Sequence, residues 1–94
     1  MVKVRYYYDL ASGEPHIYVH NVREREVEDV LNRPLEDRAG REWTRVALGQ
    51  TRAGRYLKVI YAVDPEPDSV FVITAYALGT KAKRALRRRR GSRR

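Results

Sequence analysis

The chain has 94 residues and no cysteine, so it offers one small core, no disulfide and no thiolate metal site. Its formal charge of +8 at pH 7 is unevenly placed. Nine of the 20 basic residues fall in positions 81–94, and the other 11 are matched by 12 acidic residues, all in positions 1–80.

Residues 2–9 alternate apolar with basic and then run through Tyr6, Tyr7 and Tyr8, the pattern of an edge strand with at least one exposed ring. Residues 11–15 form a turn. The stretch His16-Ile17-Tyr18-Val19-His20 has the composition of a strand, yet Pro15 is suited to open a short helix. Both readings put His16 and His20 on one side. Residues 21–34 read as a helix, with Val27, Val30 and Leu31 as its apolar stripe and acidic residues in its early turns. Val22 and Val27 have staple spacing, Glu26 stands where a capping box wants it, and Pro34 ends the helix. Residues 35–41 read as a loop.

Residues 42–50 and 54–63 read as strands. In the second, Leu57, Val59, Tyr61 and Val63 share one face, while Tyr56, Lys58, Ile60 and Ala62 share the other. Lys58 thus projects from a partly apolar face and marks a candidate site. Turn chemistry follows at residues 64–68. Residues 69–78 are almost wholly apolar, as expected of a strand near the middle of a sheet, and complete an antiparallel hairpin. The expected fold is α+β: a small antiparallel sheet of three to four strands with one main helix packed on it. Residues 1–80 make the single compact domain and should fold alone. Residues 81–94 form a basic tail, helical over 81–89 and mobile beyond.

Met1-Val2-Lys3-Val4-Arg5 lacks the apolar run of a signal peptide, and no segment approaches the roughly 18 apolar residues of a membrane span. With no cysteine, the expectation is a soluble cytoplasmic protein with no membrane partner. The tail is the footprint of a polyanion-binding segment, with Lys81, Lys83, Arg84, Arg87, Arg88, Arg89 and Arg90 as candidate nucleic-acid contacts. His16 and His20 have no third ligand at a clear spacing, so no metal or cofactor is expected. No Ser-His-Asp pattern, phosphate-cradling glycine loop or carboxylate pair stands out.

Several motifs, in order, carry a resemblance. They are His20-Asn21-Val22, then Glu26-Val27-Glu28-Asp29-Val30-Leu31 and Pro34. Ala47-Leu48-Gly49-Gln50-Thr51, residues 54–61 and Val72-Ile73-Thr74-Ala75 continue the match. Together they resemble the BrnT-like proteins, a branch of the RelE/ParE superfamily of toxin–antitoxin ribonucleases. The resemblance spans roughly residues 15–78. Two positions depart from it: Asn21 stands for the usual glycine, and Tyr76 for an arginine after the last strand's "I-S-A".

The resemblance implies a compact α/β chain, a cognate antitoxin as partner, and RNA cleavage by attack of a 2′-hydroxyl on the adjacent phosphate. Such an enzyme would be a metal-independent endoribonuclease. That chemistry needs cations for developing charge and groups that move protons. Lys58, Arg55 and Arg45 are the sheet-borne cations; His20 and Tyr61, with His16 and Tyr76 also available, are the proton carriers. Two alternatives stand beside this reading. One is a non-catalytic module that binds nucleic acid or the ribosome. The other is a protein-interaction domain that uses its sheet edge.

Overall fold

The computed structural model describes residues 3–66 and 68–91. The apolar spacing of Val27, Val30 and Leu31 does form a helix, α1 (Glu24–Asn32). Its start is fixed by Glu26, whose carboxylate accepts the Arg23 backbone N–H at 3.0 Å. Arg23 has no acceptor to return the bond, so only half of a capping box forms. Val22 and Val27 are both fully buried, completing the staple. Ahead of α1, His16–His20 is a 3-10 helix. Pro15 opens it, and Asn21, left-handed at φ 58°, closes it with its N–H on the Tyr18 carbonyl at 3.0 Å.

Five strands form one mixed sheet: β1 (Lys3–Tyr6), β2 (Glu36–Ala39), β3 (Thr44–Gln50), β4 (Tyr56–Val63) and β5 (Ser69–Ala77). Their spatial order is β1-β5-β4-β3-β2. β1 runs parallel to β5, and every other pair is antiparallel. A second α-helix, α2 (Thr80–Gly91), follows β5. This corrects the expected antiparallel sheet of three to four strands with one main helix. The extra strand is β2, in the stretch read as a loop: Glu36-Asp37-Arg38-Ala39 has no apolar alternation. It pairs with β3 through its backbone, and its charges suit an open edge. β1 is an edge strand as expected, but parallel, because the chain crosses to the far side before the hairpins begin. Arg5 secures it, bonding both oxygens of Asp64 and lying 5.2 Å from the Phe71 ring centre. Of the three tyrosines, Tyr6 turns inward and donates to Glu28 at 3.0 Å, while Tyr7 and Tyr8 are exposed.

One face of the sheet carries α1 and the 3-10 helix. Ile17, Val22, Val27 and Val30 there meet Ala47, Leu57, Val59, Tyr61, Val72 and Ala75 in a single buried cluster. Leu57, Val59 and Tyr61 are the alternate residues of β4, so its parity is as the sequence implies. Gly49 lies beneath α1, where an added Cβ would stand 3.0 Å from Val30 Cγ1. Gly49→Ala should therefore push α1 outward and cost about 1–3 kcal/mol in chemical denaturation, as overpacking does.

The other face is capped at one end by α2. Leu86 is fully buried against Val46 and Leu48, with Leu35, Tyr56, Ile60 and Leu78 around it. Arg89 bonds Glu36 at 2.7 and 2.9 Å, Arg90 donates to the Leu35 carbonyl at 2.9 Å, and Arg87 lies over Tyr56. The helix expected over 81–89 thus forms and rests on the body. Of the positions expected to be mobile, Arg90 and Gly91 lie in α2, and 92–94 fall outside the described residues.

Candidate nucleic-acid interface

β4 and β5 pair regularly from Leu57 opposite Ala77 to Ile60 opposite Thr74, then shift so that Tyr61 faces Val72. Ile73 is the extra residue, a β-bulge. It lets Val72 and Ala75, three apart, both enter the α1-side core, and it leaves Ile73 and Thr74 together on the opposite face. There they join Val46, Lys58, Ile60 and Ala62 as the floor of a groove of about 830 Å³. Its wall is the turn between β2 and β3, with Arg38, Arg41, Glu42 and Trp43.

That turn is closely fixed. The Gly40 N–H donates to the Thr44 carbonyl at 2.9 Å, and both the N–H and the hydroxyl of Thr44 bond the Arg41 carbonyl. A Cβ at Gly40 would lie 2.6 Å from Thr44 Oγ1, so only glycine fits. Glu42, left-handed at φ 52°, turns the chain into Trp43, which stands 90% exposed. The Thr74 hydroxyl is buried and has no hydrogen-bond partner among the described residues.

At the β5 side, Lys58 opens a row of side chains leading from the open face around the sheet edge. Its Nζ lies 5.8 Å from the Tyr76 ring centre, directly across the β4–β5 pair. Tyr76 meets the exposed His20 edge-on at 5.7 Å, His20 meets His16 at 5.4 Å, and His16 meets Tyr7 at 6.0 Å. The Asp9 carboxylate anchors the far end, 3.0 and 3.1 Å from His16 Nδ1. Lys58 makes no ion pair among the described residues. Nor do the described residues bring three or more His, Cys, Asp or Glu together as a metal site.

The other sequence candidates lie elsewhere. Arg45 and Tyr61 point to the α1 side, where Asp37 takes the Arg45 Nε at 2.9 Å and the Tyr61 hydroxyl at 2.5 Å. Burial first, and then Asp37, pushes the Tyr61 phenol up to about 12. An ordinary tyrosine ionises near 10. The contribution to stability is therefore intact below about pH 10 and lost as pH rises to about 12, where the unfolded chain alone releases the proton. Tyr61→Phe should show a shallower fall in stability across that window in pH-dependent denaturation. Arg55 is a tie between elements, bonding the Asn21 carbonyl at 2.7 Å and both Glu26 oxygens at 3.1 Å. The structure thus brings Lys58 and His20 to one row, through Tyr76, and leaves Arg45, Tyr61 and Arg55 outside it.

On α2, Lys81, Arg84 and Arg88 share the side opposite Leu86, and all three are exposed. Their side chains form no ion pair or hydrogen bond among the described residues. Arg87, Arg89 and Arg90 are engaged in docking, and Lys83 is half-buried.

Trp43, Arg38, Arg41 and Thr74 join the site without having been candidates from the sequence. Trp43 had a signal: it is the chain's single tryptophan and closely follows Gly40. Among the described residues no helix is long and apolar enough to cross a membrane. No curated protein and no solved structure matches the chain. Residues 18–77, running from the 3-10 helix to the end of β5, match the family model described as a domain of unknown function, DUF4258; this is more than half of the chain, which therefore belongs to that family.

Proposed function

We propose that this protein is a toxin-like RNA-binding protein of the cytoplasm that cleaves RNA without a metal at the row of Lys58, Tyr76 and His20. One observation carries the reading: a cation with no ion pair among the described residues, a phenol and an exposed imidazole lie side by side where an arginine-walled groove meets the sheet edge. The likeness to BrnT-like proteins, on the motifs quoted above, agrees with it.

The chemistry assigns each group one task. His20 accepts the proton of the RNA 2′-hydroxyl, whose oxygen attacks the adjacent phosphorus. Lys58 sits against the extra negative charge of the transition state. Tyr76 donates its proton to the departing 5′-oxygen; afterwards His20 releases to solvent the proton it took, and Tyr76 recovers one from solvent. The products are a 2′,3′-cyclic phosphate and a 5′-hydroxyl. A histidine suits such transfer near neutral pH, and a cation fixed on a strand is better placed than one on a mobile segment. The open edge of β2 offers an antitoxin-like partner a strand to pair with.

A non-catalytic RNA-binding role is the second reading, favoured by the outward stripe of Lys81, Arg84 and Arg88, which faces away from the sheet. In both readings the stripe contacts phosphates. Replacing all three by alanine should weaken RNA binding similarly for every sequence and flatten the plot of log affinity against log salt by about 2, at ~0.7 per phosphate contact on a single strand. Unchanged binding would move the contacts to the groove alone.

A further inference from the structure

We infer that the groove beside Lys58 is a subsite for one unpaired base of that RNA, stacked on Trp43 and hydrogen-bonded by Thr74. The inference rests on the RNA-binding reading and adds to it a substrate class, single-stranded RNA. Three observations converge. Trp43 is 90% exposed on a turn whose backbone hydrogen bonds and left-handed Glu42 set its place, so a large apolar ring is held in water with no ring partner among the described residues. The floor below carries Val46, Ile60, Ala62 and Ile73 beside Lys58, and Thr74 adds to it a side chain whose hydroxyl is buried and bonded to nothing among the described residues. An unsatisfied buried hydroxyl is costly in a folded protein, and a ligand that bonds it removes that cost.

The charges around the groove name the ligand. Arg41 and Lys58 line it together with Arg38, which also bonds Glu36 at 3.3 Å, and Glu42 is the one acidic residue of that lining, so the groove keeps a positive excess and its occupant is anionic as well as flat and apolar. A base with its phosphate has that combination. In a duplex both faces of a base are stacked and its pairing edge is hidden, so only an unpaired base can lie on Trp43 and reach Thr74.

Trp43 is the only tryptophan, so its fluorescence reports the subsite without a label. The purified protein is titrated at low salt with a short single-stranded RNA and with the blunt duplex of the same length, while anisotropy of labelled RNA measures binding separately. The single strand should quench Trp43 saturably and the duplex should not. Trp43→Leu should weaken single-strand binding about tenfold or more, as loss of one stacked base does, and leave duplex binding unchanged. Thr74→Val, which keeps the shape and removes the hydroxyl, should weaken it several-fold. Circular dichroism confirms that both variants fold. Single-strand binding with no quenching and no loss in Trp43→Leu would overturn the subsite and leave the RNA reading standing. Equal quenching by duplex, or by a synthetic acidic peptide, would overturn the unpaired base as occupant. Failure of any RNA to bind would end both.

Discussion

Leu86→Ala should lower stability by about 2–5 kcal/mol, the range for emptying a fully buried leucine site. A domain of this kind holds roughly 5–15 kcal/mol in all, so the loss is a large share. Leu86 is the one apolar side chain of α2 that is fully buried, and among the described residues no other helix covers Val46 and Leu48. Once Leu86 is gone, a 12-residue helix with four consecutive arginines has little to hold it, since short helices draw their stability from packing. The Arg89 contact with Glu36 is exposed and adds little alone. Residues 1–80 by themselves should show the same loss, with Leu48 and Val46 uncovered. Thermal and urea denaturation of Leu86→Ala and of a chain ending at position 80 would measure it. Stability equal to the full chain in both would mean that α2 is dispensable to the body.

Lys58→Met should reduce RNA cleavage by about 10²–10³-fold, the usual effect of removing one preorganised stabiliser of transition-state charge. His20→Gln should lose about 10²–10⁴-fold, as for a proton carrier. Both variants should fold. Methionine follows the path of the lysine stem beside Leu48 and Tyr76, and His20 is exposed. Arg45→Ala and Arg55→Ala are the informative controls. Both were site candidates from sequence, but Arg45 holds Asp37 beside Tyr61 and Arg55 ties Asn21 and Glu26 to the start of β4. They should lower stability and leave the cleavage rate of the folded fraction near wild type.

Much of this was legible in the residues. The two parities of β4 put Lys58 on the face away from α1, and the apolar stripe with Glu26 and Val22 located α1. What stayed hidden depended on pairing rather than on local pattern. Glu36-Asp37-Arg38-Ala39 carries no periodicity, so only the β3 backbone beside it shows β2 to be a strand. The bulge at Ile73 is invisible in an apolar run, yet it brings Ile73 and Thr74 to the groove. His16 and His20 could be placed on one side. Their link to Lys58 runs through Tyr76, 56 positions beyond His20, and needed the fold. Leu86 is the one large apolar residue of positions 81–94, and with only Ala82 and Ala85 beside it the stripe was too slight to signal docking.

The most direct measurement is an end-group analysis. Purified wild-type protein is incubated with end-labelled single-stranded RNA in excess EDTA, with and without ribosomes, beside Lys58→Met and His20→Gln. The wild type should give fragments with 2′,3′-cyclic phosphate and 5′-hydroxyl ends, undiminished by EDTA and all but absent in both variants. Intact RNA in every wild-type reaction, or equal cleavage by Lys58→Met, would contradict cleavage at Lys58 and His20.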